Sequence, residues 1–209
     1  MSVCMNHGTW HTTALLTGAL LIGADSGASA EGGAPTKAAS VGLLSISTST
    51  VPVLHRSLTI DREFQPFTAA LEKILGHFPA GVQQDILERP QQAEQRLKAA
   101  EGAEALMIFS VFDHGAALNM RGARRRAKQY LIGNPLTAIQ MSQHDIRAAL
   151  YAPLRVLVYE QQPGRTIVEY DQPSSLFGQF GRADVTQVAA TLDVKLERVI
   201  AQAAQLASR

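Results

Sequence analysis

The sequence predicts an α+β fold in which helices cover a mainly antiparallel sheet, and three observations carry that expectation. Two β-rich runs, 154–160 (LRVLVYE) and 165–171 (RTIVEYD), flank Gln161-Gln-Pro-Gly164, where proline and glycine suit the central positions of a hairpin turn. A continuous apolar run, 105–112 (ALMIFSVF), has strand length and stops at Asp113-His-Gly115, as a buried central strand would. From Asp184 onward, Val185, Val188, Leu192, Leu196, Val199 and Ile200 recur at steps of three and four, a helical stripe broad enough to cover one face of a sheet. Burying four or five such side chains is worth on the order of 10 kcal/mol before chain entropy is subtracted. Regular βαβ spacing is missing, which argues against a parallel, doubly wound sheet.

Composition agrees with one folded domain. Of 209 residues, 46% are hydrophobic and 18% charged, with a net charge of +1, which excludes a disordered polar chain and a polybasic nucleic-acid tail. The single cysteine, Cys4, lies in an N-terminal segment with the marks of a leader: an apolar run from Ala14 to Ala24 and a small-x-small ending at Ala28-Ser29-Ala30. That run is too short to span a bilayer, for which about 20 apolar residues are needed. Residues 1–30 are therefore expected to be a signal peptide and the protein periplasmic or secreted, although the segment has no Lys or Arg and Asp25 follows the run closely. Residues 31–50, rich in Gly, Ala, Ser and Thr, read as a flexible linker, and 51–209 as the single domain.

Within that domain, 53–60 suits a strand, and Phe64, Phe67, Leu71, Ile74, Leu75 and Phe78 give a helix stopped by Pro79. The Gln-rich stretch 81–104 holds two short helical patterns separated by Pro90. After the central strand, 128–132 is a further short strand closed by Gly133-Asn-Pro135, and 136–150 reads as one or two short helices broken near Ser142. Asp184 is placed to cap the last helix, with Gln187 as its capping-box partner.

The strings Phe112-Asp-His-Gly115, Ile132-Gly-Asn-Pro135, 152–160 (APLRVLVYE), 170–175 (YDQPSS) and 177–181 (FGQFG) together resemble the domain of unknown function 302 family, over roughly 110–204. The resemblance implies helices covering a curved sheet with a topology like that of the TATA-binding protein. It is compatible with a homodimer and implies no particular activity. The Gln-rich stretch 81–104 departs from the shorter family pattern.

Asp113-His114 is the sharpest chemical candidate, since a carboxylate can orient an imidazole for proton transfer. Neighbours on a strand point to opposite faces, so such a pair needs the turn at Gly115 to re-aim one of them. Otherwise Asp113 caps a turn and His114 is a loop residue. Gly133 and Asn134 could present an amide to a crevice beside His114, or serve only as a strand-to-helix connector. Tyr151 and Tyr159 could line the same pocket or act as half-buried packing groups. Arg121, Arg124, Arg125, Arg126 and Lys128 form an anion patch or a solvated face; with Tyr130 as the sole interleaved aromatic, nucleic acid is not the expected partner. His55, His77, His114 and His144 show no metal-ligand spacing, and no nucleotide loop or nucleophile elbow occurs, so neither metal nor other cofactor is expected.

The functional expectation is therefore a module binding a small molecule or an envelope protein. One alternative is an enzyme using His114 as acid/base with Asp113 and Asn134. Another is a structural homodimer joined through the hairpin at Val158.

Overall fold

The computed structural model describes residues 39–41 and 43–207, in two units, Met1–Ser49 and Thr50–Arg209. The expected signal peptide and the start of the expected linker lie outside the described residues. Within the first unit, β1 (Ala39–Val41) pairs antiparallel with β2 (Leu44–Ile46), so the stretch read as a linker carries a short hairpin.

The second unit runs β3 (His55–Ile60), α1 (Phe64–Ile74), β4 (Gly76–His77), α2 (Val82–Glu88), α3 (Pro90–Ala99), β5 (Met107–Asp113), α4 (His114–Leu118), β6 (Ala127–Gly133), α5 (Pro135–Ser142), β7 (Leu154–Gln162), β8 (Arg165–Asp171), α6 (Pro173–Gly178) and α7 (Ala183–Leu206). Short 3₁₀ turns at Ala103–Ala105, Asn119–Arg121 and Ile146–Tyr151 punctuate it. The six strands form one sheet in the order β3-β8-β7-β6-β5-β4, antiparallel except for the short β4–β5 edge pair. The α+β class and its mainly antiparallel sheet are thus as the sequence predicts.

Alternation along the strands explains how the sheet is covered. Val156 and Val158 of β7, Tyr130 and Ile132 of β6, and Val168 and Tyr170 of β8 point to one face. There they meet Phe67 and Leu71 of α1 and Leu192, Leu196, Val199 and Ile200 of α7 in a single core. Burial of Leu192 and Leu196 is the expected fate of the α7 stripe. It also places Val158 under that layer with none of its surface exposed, so the hairpin cannot use Val158 as an interface contact. The hairpin turn is as read, with Gly164 at φ +78° accepting the left-handed position after Pro163.

Two boundaries differ from expectation. Helix α1 ends at Ile74 rather than Phe78, because Gly76 leaves it to donate to the Leu106 carbonyl at 3.0 Å and start β4. A Cβ on Gly76 would lie 1.9 Å from the Ala100 carbonyl oxygen, and one on Gly102 would lie 2.1 Å from the Gly76 nitrogen; the two backbones touch, and only glycine permits it. Helix α7 begins at Ala183 with Arg182 at its N-cap and no side-chain cap. Asp184 sits inside the first turn, where its carboxylate pairs with Arg182 at 2.9 Å and His144 at 3.1 Å instead of capping with Gln187.

On the opposite sheet face, α2 and α3 cover Met107 with Val82, Ala93 and Leu97. Their hairpin is tied by Asp85, whose buried carboxylate accepts from both Arg89 and Arg96. Burial alone would raise the Asp85 pKa, but the two guanidiniums outweigh it and hold the group below its ordinary value. Beyond Met107 that face carries Phe112, Gln129, Leu157 and Glu169, which are exposed or half-exposed. Among the described residues no helix is long and apolar enough to cross a membrane.

Candidate functional site

The β5–β6 ladder separates the residues that the sequence suggested would meet. Asp113 pairs with Lys128 at one end and Met107 with Gly133 at the other. With about 3.4 Å per residue along an antiparallel strand, His114 and Asn134 stand on the order of 20 Å apart. The crevice shared by His114, Gly133 and Asn134 is therefore corrected to two separate regions.

At the first end, Asp113 and His114 do not form a pair. Asp113 turns toward the helical layer and caps α4, its Oδ1 accepting from the Ala116 amide at 2.8 Å. His114 turns to the other face, which α2 and α3 cover only at Met107, and its ring packs edge-on against Phe112 with centroids 4.7 Å apart. Strand alternation is the cause, and α4 starts too soon for the turn to re-aim either side chain. Gly115 is needed at this start because a Cβ would lie 2.3 Å from the Arg125 carbonyl oxygen.

Beside Asp113, a polar depression is bounded by Thr68, Asn119, Arg125 and Lys128. Lys128 is tied to Glu72 of α1, whose Oε1 accepts from Lys128 Nζ at 2.8 Å and the Tyr130 hydroxyl at 2.7 Å. Burial works to raise the Glu72 pKa, yet the two donors keep it below the usual carboxylate range. Burial, followed by the bond to Glu72, pushes the Tyr130 phenol well above its ordinary value, so it serves as a permanent donor.

At the second end, Asn134 is buried and makes three hydrogen bonds. Its Nδ2 donates to Glu101 Oε1 at 2.6 Å and to the Ala105 carbonyl at 2.8 Å, while Oδ1 accepts from the Leu136 amide at 2.8 Å. With Pro135 at the first position of α5, this is a helix N-cap tied to the turn before β5. Asn134 is therefore a structural connector, with both amide donors spent and its oxygen held at the start of α5, far from His114.

The structure instead gathers apolar residues around Gly133. A cavity of about 220 Å³ lies between Phe109, Gly133, Met141, Pro153, Phe177 and Leu192, with Asn134, Pro135, Thr137, Ala138, Ala152 and Leu154 completing its wall. Phe109 reaches it because the β5 register shifts between Ile108 and Ser110, a bulge that frees Phe109 from the alternation and lets it stack on Phe78 at 4.6 Å. Gly133 leaves room: a Cβ there would sit 3.4 Å from Pro153 Cβ and 3.6 Å from Phe109 Cε2. None of the lining side chains titrates near neutral pH.

The remaining predicted site residues are dispersed. Tyr151 packs edge-on against Phe177, centroids 6.2 Å apart, with its hydroxyl 3.5 Å from Gln179; it supports the cavity wall from behind. Tyr159 lies with His114 on the face away from α1 and α7 and donates to Glu169 Oε1 at 3.0 Å. Of the predicted anion patch, Arg126 pairs with Glu160 at 3.0 Å, whereas Arg121, Arg124 and Arg125 form no ion pair among the described residues. Among those residues no three His, Cys, Asp or Glu side chains gather as a metal site. Sequence reading missed Phe109, Met141, Pro153, Phe177 and Leu192, because an apolar side chain lining a cavity has the same pattern as one filling a core. The only available signal was the glycine at position 133, ending an otherwise apolar strand.

Comparison with known proteins fits this architecture. No curated protein matches the chain. Among solved structures, the crystal structure of an uncharacterized conserved protein, DUF302, from Bacillus stearothermophilus is similar with a TM-score of 0.51 at 15% identity, covering 71% of this chain and 96% of that one. The family model described as Domain of unknown function DUF302 matches residues 83–203, taking in most of the Gln-rich stretch that had read as a departure from the family. That span exceeds half of the sequence, and the chain belongs to the DUF302 family.

Proposed function

We propose that this protein is a binding module for a small apolar molecule, held in the cavity between α5, α6, α7 and the Gly133 end of the sheet. One observation carries the reading: a void of about 220 Å³ walled by Phe109, Met141, Phe177 and Leu192, whose polar neighbour Asn134 is already engaged. An engineered apolar cavity of about 150 Å³ stays dry and takes up benzene, so this volume suits a substituted or fused ring. Binding by shape and apolar contact needs no acid or base, and the lining supplies neither. The processing pattern at Ala28-Ser29-Ala30 supports placing that binding in the cell envelope. The acid/base reading of His114 has less to stand on, since its two orienting partners cap helices.

The test uses fluorobenzene followed by fluorine NMR and naphthalene followed by fluorescence. Both should bind the 209-residue chain and raise its Tm as concentration rises. Ala138→Trp, filling the void from a half-exposed position, should weaken both by about tenfold or more while the far-ultraviolet spectrum is retained. Failure of either probe to bind at its solubility limit, or equal binding by the variant, would refute the assignment.

A further inference from the structure

The His114 end of the ladder carries a second opening that the cavity reading leaves unused. It is a groove of about 640 Å³ on the sheet face away from α1 and α7, within the range of small-molecule sites. Leu118 and Leu157 give it an apolar floor, and Phe112, 54% exposed, backs His114 at its rim. Its two carboxylates are already occupied: Glu160 accepts from Arg126 at 3.0 Å, and Glu169 accepts from Tyr159 at 3.0 Å with His55 3.8 Å away. Arg125 and His114 are the contrast. Neither has an acidic partner or a side-chain hydrogen bond among the described residues, although both border the groove. The groove thus pairs an apolar bed with an arginine that has no ion-pair partner among the described residues.

We propose that this groove binds a small amphipathic carboxylate. The carboxylate takes the forked donors of Arg125, with a ring N–H of His114 as an additional donor, and the apolar body lies along Leu118 and Leu157. A guanidinium fits a carboxylate through two parallel N–H···O bonds, which gives orientation as well as attraction. A bare anion gains nothing from the leucines, and a neutral apolar molecule leaves Arg125 unanswered, so the recognition requires both parts.

The probe is 2-naphthoate, titrated into the full chain by calorimetry, with 2-naphthylmethanol as neutral analogue and inorganic phosphate as bare anion. Naphthoate should bind, its affinity should fall with added salt, and the other two should bind at least about tenfold more weakly. Arg125→Gln should weaken naphthoate by about tenfold and His114→Gln by about threefold, both with unchanged Tm because the side chains are exposed or half-exposed. Ala138→Trp should leave naphthoate binding intact, which separates this groove from the cavity. Binding within twofold of the parent by both groove variants, equal affinity for 2-naphthylmethanol, or loss of naphthoate binding in Ala138→Trp would overturn the proposal. So would a concentration-dependent dimer in sedimentation that Leu118→Glu dissociates, since that outcome gives the face to a second copy of the chain.

Discussion

The two ends of the β5–β6 ladder are built from the same pair of strands and differ in what their polar groups are free to do. At the Gly133 end, Asn134 makes three hydrogen bonds and the walls are apolar, so the opening there is an apolar shape without chemistry. At the Asp113 end the ladder opens onto charged loops, where Arg125 and His114 remain without partners among the described residues. The difference teaches that a polar residue standing alone in an apolar sequence is often consumed by the backbone. Asn134 and Asp113 look like reactive groups in the string, and each caps a helix in the fold. The available cations come instead from an arginine-rich loop that reads as solvated surface.

Substitutions grade this contrast. The largest effect is expected at the Gly133 end, where Gly102→Ala forces a methyl into the Gly76 backbone and should cost about 3 kcal/mol or more, read as the shift in urea midpoint. Asn134→Ala should follow at about 2 to 3 kcal/mol, since it removes the cap of α5 and strands the Glu101 carboxylate and Ala105 carbonyl; a loss below about 1 kcal/mol would show that Asn134 is not the tie described. At the open end, Asp113→Ala should cost only about 1 kcal/mol, the worth of one exposed N-cap.

Acid gives a gentler probe of the Gly133 end. The Asp145 carboxylate, next after α5, accepts from the Arg147 guanidinium at 2.6 Å and its amide at 3.0 Å, and these bonds hold its pKa at about 2. In the unfolded chain the group titrates near its ordinary value of 3.8. Between those values the unfolded state binds more protons, so the contribution of Asp145 is complete above about pH 5 and is lost as pH falls toward 2. Carbon-13 titration of the Asp145 carboxyl should show the low midpoint, and Arg147→Gln should move it up. The smallest effect is expected for His114→Ala, within about 0.5 kcal/mol of the parent, because its ring makes one edge-on contact at the surface. A larger loss would mean the open end is more tightly built than its geometry indicates.

Most strands were legible because period-two patterns and turn chemistry are local. The hairpin at Pro163-Gly164 and the α7 stripe fold as read. The apolar run of β5 is a strand, but not the buried central one expected: its outer neighbour is the two-residue edge strand β4, so Val111 and Phe112 are left exposed. Strand β4 was not legible: two residues inside an apparent helical pattern become a strand only because Leu106, thirty residues on, offers Gly76 a carbonyl. The cavity was hidden for a similar reason. Phe109 enters it through a bulge, and Phe177 and Leu192 through helices packed from the far end of the chain. Periodicity shows that such residues turn inward and is silent on whether they touch.

By itself the sequence determined the α+β class, the hairpin, the long apolar stripe of α7 and the turn residues that end each strand. Those properties follow from steric and hydrophobic preferences acting over a few neighbouring residues. Tertiary structure alone decided that His114 and Asn134 lie at opposite ends of one ladder, that Asp113 and His114 face opposite sides, and that a void remains beside Gly133. These are consequences of register and packing between distant segments, where a shift of one residue in pairing moves a side chain to the other face of the sheet.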